Sequence, residues 1–323
     1  MSELYDCHTH IGIELGHYLT GSFPYCQHFT DLCRDLDAAA IEKVVVFPMV
    51  THFGMELDAL RDGKVVPTMV PWSRYPYEFE NAHFLAEIYD LFADLAHRAV
   101  PLVMIDPSRQ TRPQLQNIAS LAERYPIAGL KMQGTMIQSF VSDLPKSGFL
   151  DLAAERDWPV LIHTSVHPDD PWSQVTDILD VAEVWPQLRF NVAHTLRFDA
   201  PLLERLAGLP NAWFDVSAFC IHCDLAVQES PVVAAPERRF ATDYADCGRA
   251  LRDFAEAWPD RLLWGSDAPY YSYVAPYVDA EGNVITFDLR SSMARETAAL
   301  RALSPAMIER VAGDNPRAWL TGK

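Results

Sequence analysis

Eight short, mostly apolar stretches, each followed by a run with helical periodicity, constrain this chain more than any other feature. They are Leu4–His10, Ile41–Pro48, Val100–Asp106, Ile127–Gln133, Trp158–Thr164, Leu188–His194, Ala212–Ser217 and Arg261–Asp267. Near-continuous apolar runs rich in β-branched residues are what strands buried on both faces require, and strands that alternate with helices pair in parallel. The first intervening helix carries Leu32, Leu36 and Ala39 on one face, with Thr30 or Asp31 as its N-cap. Others are expected over 80–98, Pro113–Tyr125, Gly148–Arg156, Gln174–Val184, Ala200–Ala207 and Asp243–Ala257, and two more, Ser292–Leu303 and Pro305–Leu320, close the chain. Eight such units predict an α/β fold, the (β/α)8 or TIM barrel. A doubly wound sheet would place a Gly-rich phosphate turn after its first strand, and none is present.

The 323 residues suffice for one large core, and no repeat, low-complexity run or linker divides them, so residues 1–323 are expected to form a single domain. Long loops are expected after the second strand (49–79), the seventh (from Ala218 to about Thr242) and the eighth. Loops of that length in a compact domain are usually functional.

A formal charge of −18 and a pI of about 4.9 exclude nucleic acid and anionic membrane surfaces, both of which need a basic face. No charged start followed by an apolar segment opens the chain, and no apolar run reaches the ~18 residues of a membrane span, so the cytoplasm is the expected compartment. Six scattered cysteines are too few for a disulfide scaffold. Cys220-Ile221-His222-Cys223 has the look of half a structural zinc site, but no matching second cluster follows it.

On a strand, alternate side chains share a face, so His8 and His10 of Asp6-Cys7-His8-Thr9-His10 project together with Asp6 behind them. Neutral imidazoles are ligands for zinc and similar divalent ions. Alone, such a pair is also what ordinary neighbours on a strand look like. Its weight comes from the other strand ends. In a barrel of this kind chemistry sits at the C-terminal ends of the strands. Those ends hold His8 and His10, Lys131, His163, His194 and Asp267, all metal ligands or proton carriers.

These segments, together with Val160-Leu161-Ile162-His163-Thr164, Asn191-Val192-Ala193-His194, Pro210-Asn211-Ala212-Trp213-Phe214-Asp215-Val216-Ser217 and Arg261-Leu262-Leu263-Trp264-Gly265-Ser266-Asp267-Ala268-Pro269, resemble the amidohydrolase superfamily. Within it they are most similar to the amidohydrolase-related branch that includes aminocarboxymuconate-semialdehyde decarboxylase and related decarboxylases and hydrolases. The resemblance runs through nearly the whole chain.

It implies that His8, His10, His163 and Asp267 bind one divalent metal, zinc first, with manganese and iron as alternatives that mixed imidazole and carboxylate donors also accept. Such an ion brings the pKa of water down to near ~7. Asp267 would take the proton, and His194, as acid/base or second ligand, would polarise a carbonyl or protonate a leaving group. Three roles stay open for Lys131: a carboxylated bridge to a second metal, an ammonium that holds a substrate carboxylate, or a structural lysine at the barrel mouth. A homodimer is implied by resemblance alone.

Aromatic residues, with two methionines, crowd the expected loops: Phe23, Tyr25 and His28 after the first strand, Met49, His52, Phe53, Met55, Trp72, Tyr75 and Tyr77 after the second, and Trp172, Phe219, Tyr270, Tyr271 and Tyr273 later. Such a mouth suits a planar or apolar small-molecule substrate, with Trp172 and Tyr270 as contacts and Arg74 and His167 as carboxylate anchors. The expected activity is hydrolysis of an amide, lactone or ester-like bond in a small organic acid or aromatic compound. Nonoxidative decarboxylation on the same scaffold is the alternative. A metal-free lactonase and a noncatalytic binding barrel are further readings, the last opposed by the complete set His8, His10, His163, His194 and Asp267.

Overall fold

The computed structural model of the protein describes residues 3–50, 56, 58, 59, 62, 64, 66, 73–278 and 284–323. Among these residues are eleven strands: β1 (Tyr5–Ile13), β2 (Cys26–Gln27), β3 (Lys43–Pro48), β4 (Ala99–Ile105), β5 (Gly129–Met132), β6 (Val160–Ile162), β7 (Phe190–Val192), β8 (Ala212–Asp215), β9 (Leu262–Leu263), β10 (Tyr273–Val278) and β11 (Val284–Leu289). The large sheet runs β2-β1-β3-β4-β5-β6-β7-β8-β9, and its eight parallel members β1 and β3 to β9 are the eight expected stretches. The ends of the sheet meet. Trp264 and Ala268 carbonyls accept the Cys7 and His10 N–H groups at 2.9 and 2.7 Å, and the Asp267 N–H donates to the His8 carbonyl at 2.8 Å, which closes a barrel.

Two apolar layers result. Inside the barrel pack Tyr5, Cys7, Val45, Phe47, Leu102, Met104, Leu161, Trp213 and Leu263. Outside it, alternate strand residues such as Val44, Val46, Val103, Leu130, Val160 and Phe214 pack against helix faces such as Leu32, Leu36, Ile118, Ile178 and Phe254. Each fully buried Val, Leu or Phe contributes roughly 1.5–3 kcal/mol.

Departures from the expected elements have local causes. The first long helix is Phe29–Ala39, and its start is set not by Thr30 or Asp31 but by a distant cap, Glu87 Oε1 accepting the Phe29 N–H at 2.6 Å. The 80–98 region is a helix over Glu78–Ala86 that widens to a π-turn over Glu87–Leu91, followed by a 3-10 turn at Ala96–Arg98. Pro305–Leu320 is likewise interrupted by a π-turn at Arg310–Asp314. The excursion after β8 contains a helix, Phe219–Val227, where a loop is expected. It buries Phe219, Cys220, Ile221, His222, Cys223, Leu225 and Ala226, so it lacks the polar face by which a helix is recognised from sequence. The Tyr-rich loop after β9 is the antiparallel hairpin β10/β11, with Tyr273 opposite Leu289 and Pro276 opposite Thr286. Pro276 is what disguises it, because proline inside a run argues against a strand.

One irregularity positions the site. Asp6 pairs with Val44 and Thr9 with Val46, so Cys7 and His8 together stand opposite the single residue Val45. Such a bulge re-aims side chains. Cys7 joins the inner core while His8 turns to face Phe47, with ring centroids 5.1 Å apart, and His10 follows at 4.4 Å from the same ring.

Candidate active site

His8 is held from behind. Its Nδ1 donates to Asp215 Oδ2 at 2.9 Å, which places the neutral ring's lone pair on Nε2. Asp215 ends β8 and accepts further from Asn191 Nδ2 at 2.8 Å and from the His194 and Ser217 N–H groups at 3.0 and 3.1 Å. Burial would raise its carboxyl, but His8 and these hydrogen bonds hold it well below the usual carboxylate range.

Asp267 follows β9 with a left-handed backbone, φ 64°. Its Oδ1 lies 3.4 Å from His8 Nε2 and 3.3 Å from His10 Nε2, yet it is buried and makes no hydrogen bond. Burial pushes its carboxyl up to about 6, against the pull of His8 and Lys131. Lys131, on β5, is fully buried, its Nζ 3.3 Å from His8 Nε2 and 4.7 Å from the centre of the Phe47 ring. Burial pushes its ammonium down to about 7.

The fifth- and sixth-strand histidines form a chain of their own. His163 Nε2 takes an N–H from Arg197 at 3.1 Å, and its Nδ1 meets His194 Nε2 at 2.9 Å. Arginine only donates, so a neutral His163 carries its proton on Nδ1 and donates it to His194. His194 then carries its proton on Nδ1, which faces the Ser217 hydroxyl at 2.8 Å and carbonyl at 3.2 Å. Burial lowers the pKa of all four imidazoles, helped by Lys131 at His8 and His10 and by Arg197 at His163 and His194, so all four are neutral.

The turn that delivers His194 and Arg197 is unusual. His194, Thr195, Leu196, Arg197 and Phe198 all have positive φ, from 48° to 69°, in a buried segment without glycine. A left-handed conformation costs roughly 1–2 kcal/mol per residue, and strain of this kind gathers at functional sites.

These groups open on a cavity of about 270 Å³. His10, His163, His194, Asp267, Arg197 and His222 line it, together with Tyr270, Tyr273, Ile221, Leu225 and Leu289. Tyr270 therefore stands where expected, its ring 4.8 Å from that of His10 and its hydroxyl buried without a partner. Lys131 is absent from the described lining, its Nζ turned to His8 Nε2. Arg74 and Trp172 are absent from the described lining. Arg74 is 82 % exposed and ion-paired with Glu78, and Trp172 packs beside Phe140. His167 accepts the Asp169 N–H on the surface and does not line the cavity either. His52, Phe53, Met55 and Trp72 lie outside the described residues. Reading the sequence alone missed Arg197, His222, Asp215 and Ser217. The Phe214-Asp215-Val216-Ser217 segment ends a strand as His194 does, and that position was the available signal.

The donor set fits a divalent metal. One donor atom from each of His8, His194 and Asp267 lies within 4.8 Å of the other two. His8 and His10 turn Nε2 toward a carboxylate oxygen that nothing among the described residues satisfies, which is the arrangement a cation completes. His163 stands next to this group, with its outer nitrogen taken by Arg197.

The family model for amidohydrolases matches residues 5–321. No curated protein sequence matches the chain. Among solved structures, an amidohydrolase from Burkholderia multivorans with bound zinc is 15 % identical, with a TM-score of 0.60, and 99 % of each chain is covered. A putative 2-pyrone-4,6-dicarboxylic acid hydrolase from Pseudomonas putida is 16 % identical, with a TM-score of 0.54, over 99 % of this chain and 98 % of that one. The 5-carboxyvanillate decarboxylase from Sphingomonas paucimobilis is 12 % identical, with a TM-score of 0.59, over 99 % of each chain. Identities this low speak for a shared barrel.

Proposed function

Because this chain belongs to the amidohydrolase family, we propose that it is a metal-dependent hydrolase that opens an amide, lactone or ester-like bond in a small organic substrate. The observation that carries the reading is the unsatisfied Asp267 Oδ1 between the Nε2 atoms of His8 and His10. His8, His10 and Asp267 would hold the ion, joined by His163 once Arg197 releases its Nε2. A divalent ion there supplies a Lewis acid and makes water a nucleophile at neutral pH.

The chain's own groups divide the remaining work. Asp267 Oδ2 lies 3.8 Å from His194 Nδ1. Burial raises the Asp267 carboxyl only to about 6 when no ion is bound, so it is ionised at neutral pH, and it would take the proton that water loses. His194 Nδ1–H, which Ser217 accepts here, would become a donor toward the substrate oxygen or the leaving group on leaving Ser217. Burial keeps the Tyr270 phenol protonated, so its hydroxyl is a second donor at the cavity wall. The apolar walls limit the water that reaches the reacting bond.

The test is metal content per chain in the parent, His8→Ala and Asp267→Ala proteins, followed by screening of lactones, amides and esters. About one equivalent, lost in both variants together with any activity found, supports the proposal. Activity that survives chelation favours a metal-free lactonase instead. Nonoxidative decarboxylation is the second reading, supported by the fold shared with the 5-carboxyvanillate decarboxylase over 99 % of both chains. Release of carbon dioxide from an ortho-hydroxy aromatic acid would replace hydrolysis with it.

A further inference from the structure

Two deeply buried arginines illustrate different fates for a guanidinium. Arg98 is a structural one: it pairs with Asp37 and donates to the Cys33, Ile41 and Glu42 carbonyls. Arg197 is 6 % exposed, borders the cavity, and has no carboxylate within 4.0 Å among the described residues. Its Nε donates to the Thr164 carbonyl at 2.9 Å, Nη2 to His163 Nε2 at 3.1 Å, and Nη1 to His222 Nε2. Of the five N–H bonds a guanidinium carries, these use three, leaving one on each terminal nitrogen without a partner among the described residues. A buried cation without a counter-ion is costly, and here the chain adds a left-handed turn to put it in place.

We propose that Arg197, with His222 fixing its orientation, is the substrate-recognition residue of the cavity, and that the ligand it recognises is the carboxylate of a small organic acid with an apolar body. The two free N–H bonds are the number a bidentate carboxylate takes. Among the described lining Arg197 is the sole cationic group, enough for one carboxylate, while Met136, Ile221, Leu225, Val232 and Leu289 offer an apolar wall for the rest of the molecule. This inference rests on the reading that the cavity is where substrate meets the His8 and Asp267 cluster.

The probes are benzoate and its neutral isostere benzamide, titrated calorimetrically into chelator-treated and zinc-loaded protein. Metal-free parent protein is expected to bind benzoate at least tenfold more tightly than benzamide, and Arg197→Gln to bind both alike. In the parent, the Arg197 guanidinium nitrogen resonances are expected to shift with benzoate and not with benzamide, a readout that stands even if the variant does not fold. Equal affinity of the metal-free parent for the two probes, including no binding of either, overturns the inference. So does a benzoate preference retained in Arg197→Gln or present only with zinc. A chain that binds no metal but keeps an Arg197-dependent preference sinks the hydrolase reading and leaves this one standing.

Discussion

His8 and Asp215 lie 207 positions apart in the chain, yet Nδ1 of one and Oδ2 of the other meet at 2.9 Å, both fully buried. The contact sets the imidazole tautomer and so decides that Nε2 presents its lone pair to the cavity side of the barrel. Carboxylates that orient a ligating histidine in this way are typically worth 10- to 100-fold in metal affinity. Asp215→Asn, which keeps shape and removes charge, is expected to weaken metal binding by roughly that factor. Competition with a chromophoric chelator measures it, and unchanged affinity would mean that Asp215 serves the fold alone.

Metal loading is expected to depend on pH with a definite sign. If His8 and Asp267 hold the ion as proposed, binding would require the Asp267 carboxylate and a His8 Nε2 clear of the Lys131 ammonium. These groups lose their protons near about 6 and about 7, so loading rises as pH increases across that window and falls on the acid side. The four imidazoles have lowered pKa values, burial being the main cause, so their own titration is displaced to the acid side and does not reverse the sign. Lys131→Met removes the competing ammonium, so the half-loading point should move toward the lower end of the window. Elemental analysis across pH checks this, and a fall from two equivalents to one in the variant would instead mark Lys131 as a bridge between two ions.

Gly265 leaves no room for a side chain. A Cβ there would stand 2.9 Å from His8 Cβ and 3.1 Å from the His8 nitrogen. Gly265→Ala must therefore push β1 and the loop after β9 apart, at roughly 1–3 kcal/mol of stability by analogy with overpacked cores. Urea unfolding reads the loss, and metal titration should show weaker binding, because His8 and Asp267 sit on the two segments being separated.

The Tyr270 hydroxyl is buried and unpaired, whereas its ring packs on His10. Tyr270→Phe removes an unsatisfied donor, so stability should hold or rise by about 1 kcal/mol. Turnover, once a substrate is identified, should fall. A destabilised Phe variant would show that the hydroxyl has a structural partner and no task at the cavity.

The sequence by itself determined the barrel and pointed to most of the candidate metal cluster. Eight apolar stretches separated by amphipathic runs leave few ways to bury their surface, and a parallel barrel sends the ends of all eight to one mouth, so His8, His10, His163, His194 and Asp267 could be grouped without a structure. Helix 219–227 and the β10/β11 hairpin escaped because full burial erases the polar face of one and a proline interrupts the other. What tertiary structure alone decided is which nitrogen of His8, His163 and His194 carries the proton. That depends on partners far away in sequence, Asp215 for His8 and Arg197 for His163, and on a left-handed turn at His194–Phe198 that no glycine announces. Arg74 and Arg197 look alike as letters. One is neutralised by Glu78 at the surface, while the other is held inside beside two histidines, because burial and the direction of hydrogen bonds belong to three-dimensional neighbours rather than to local pattern.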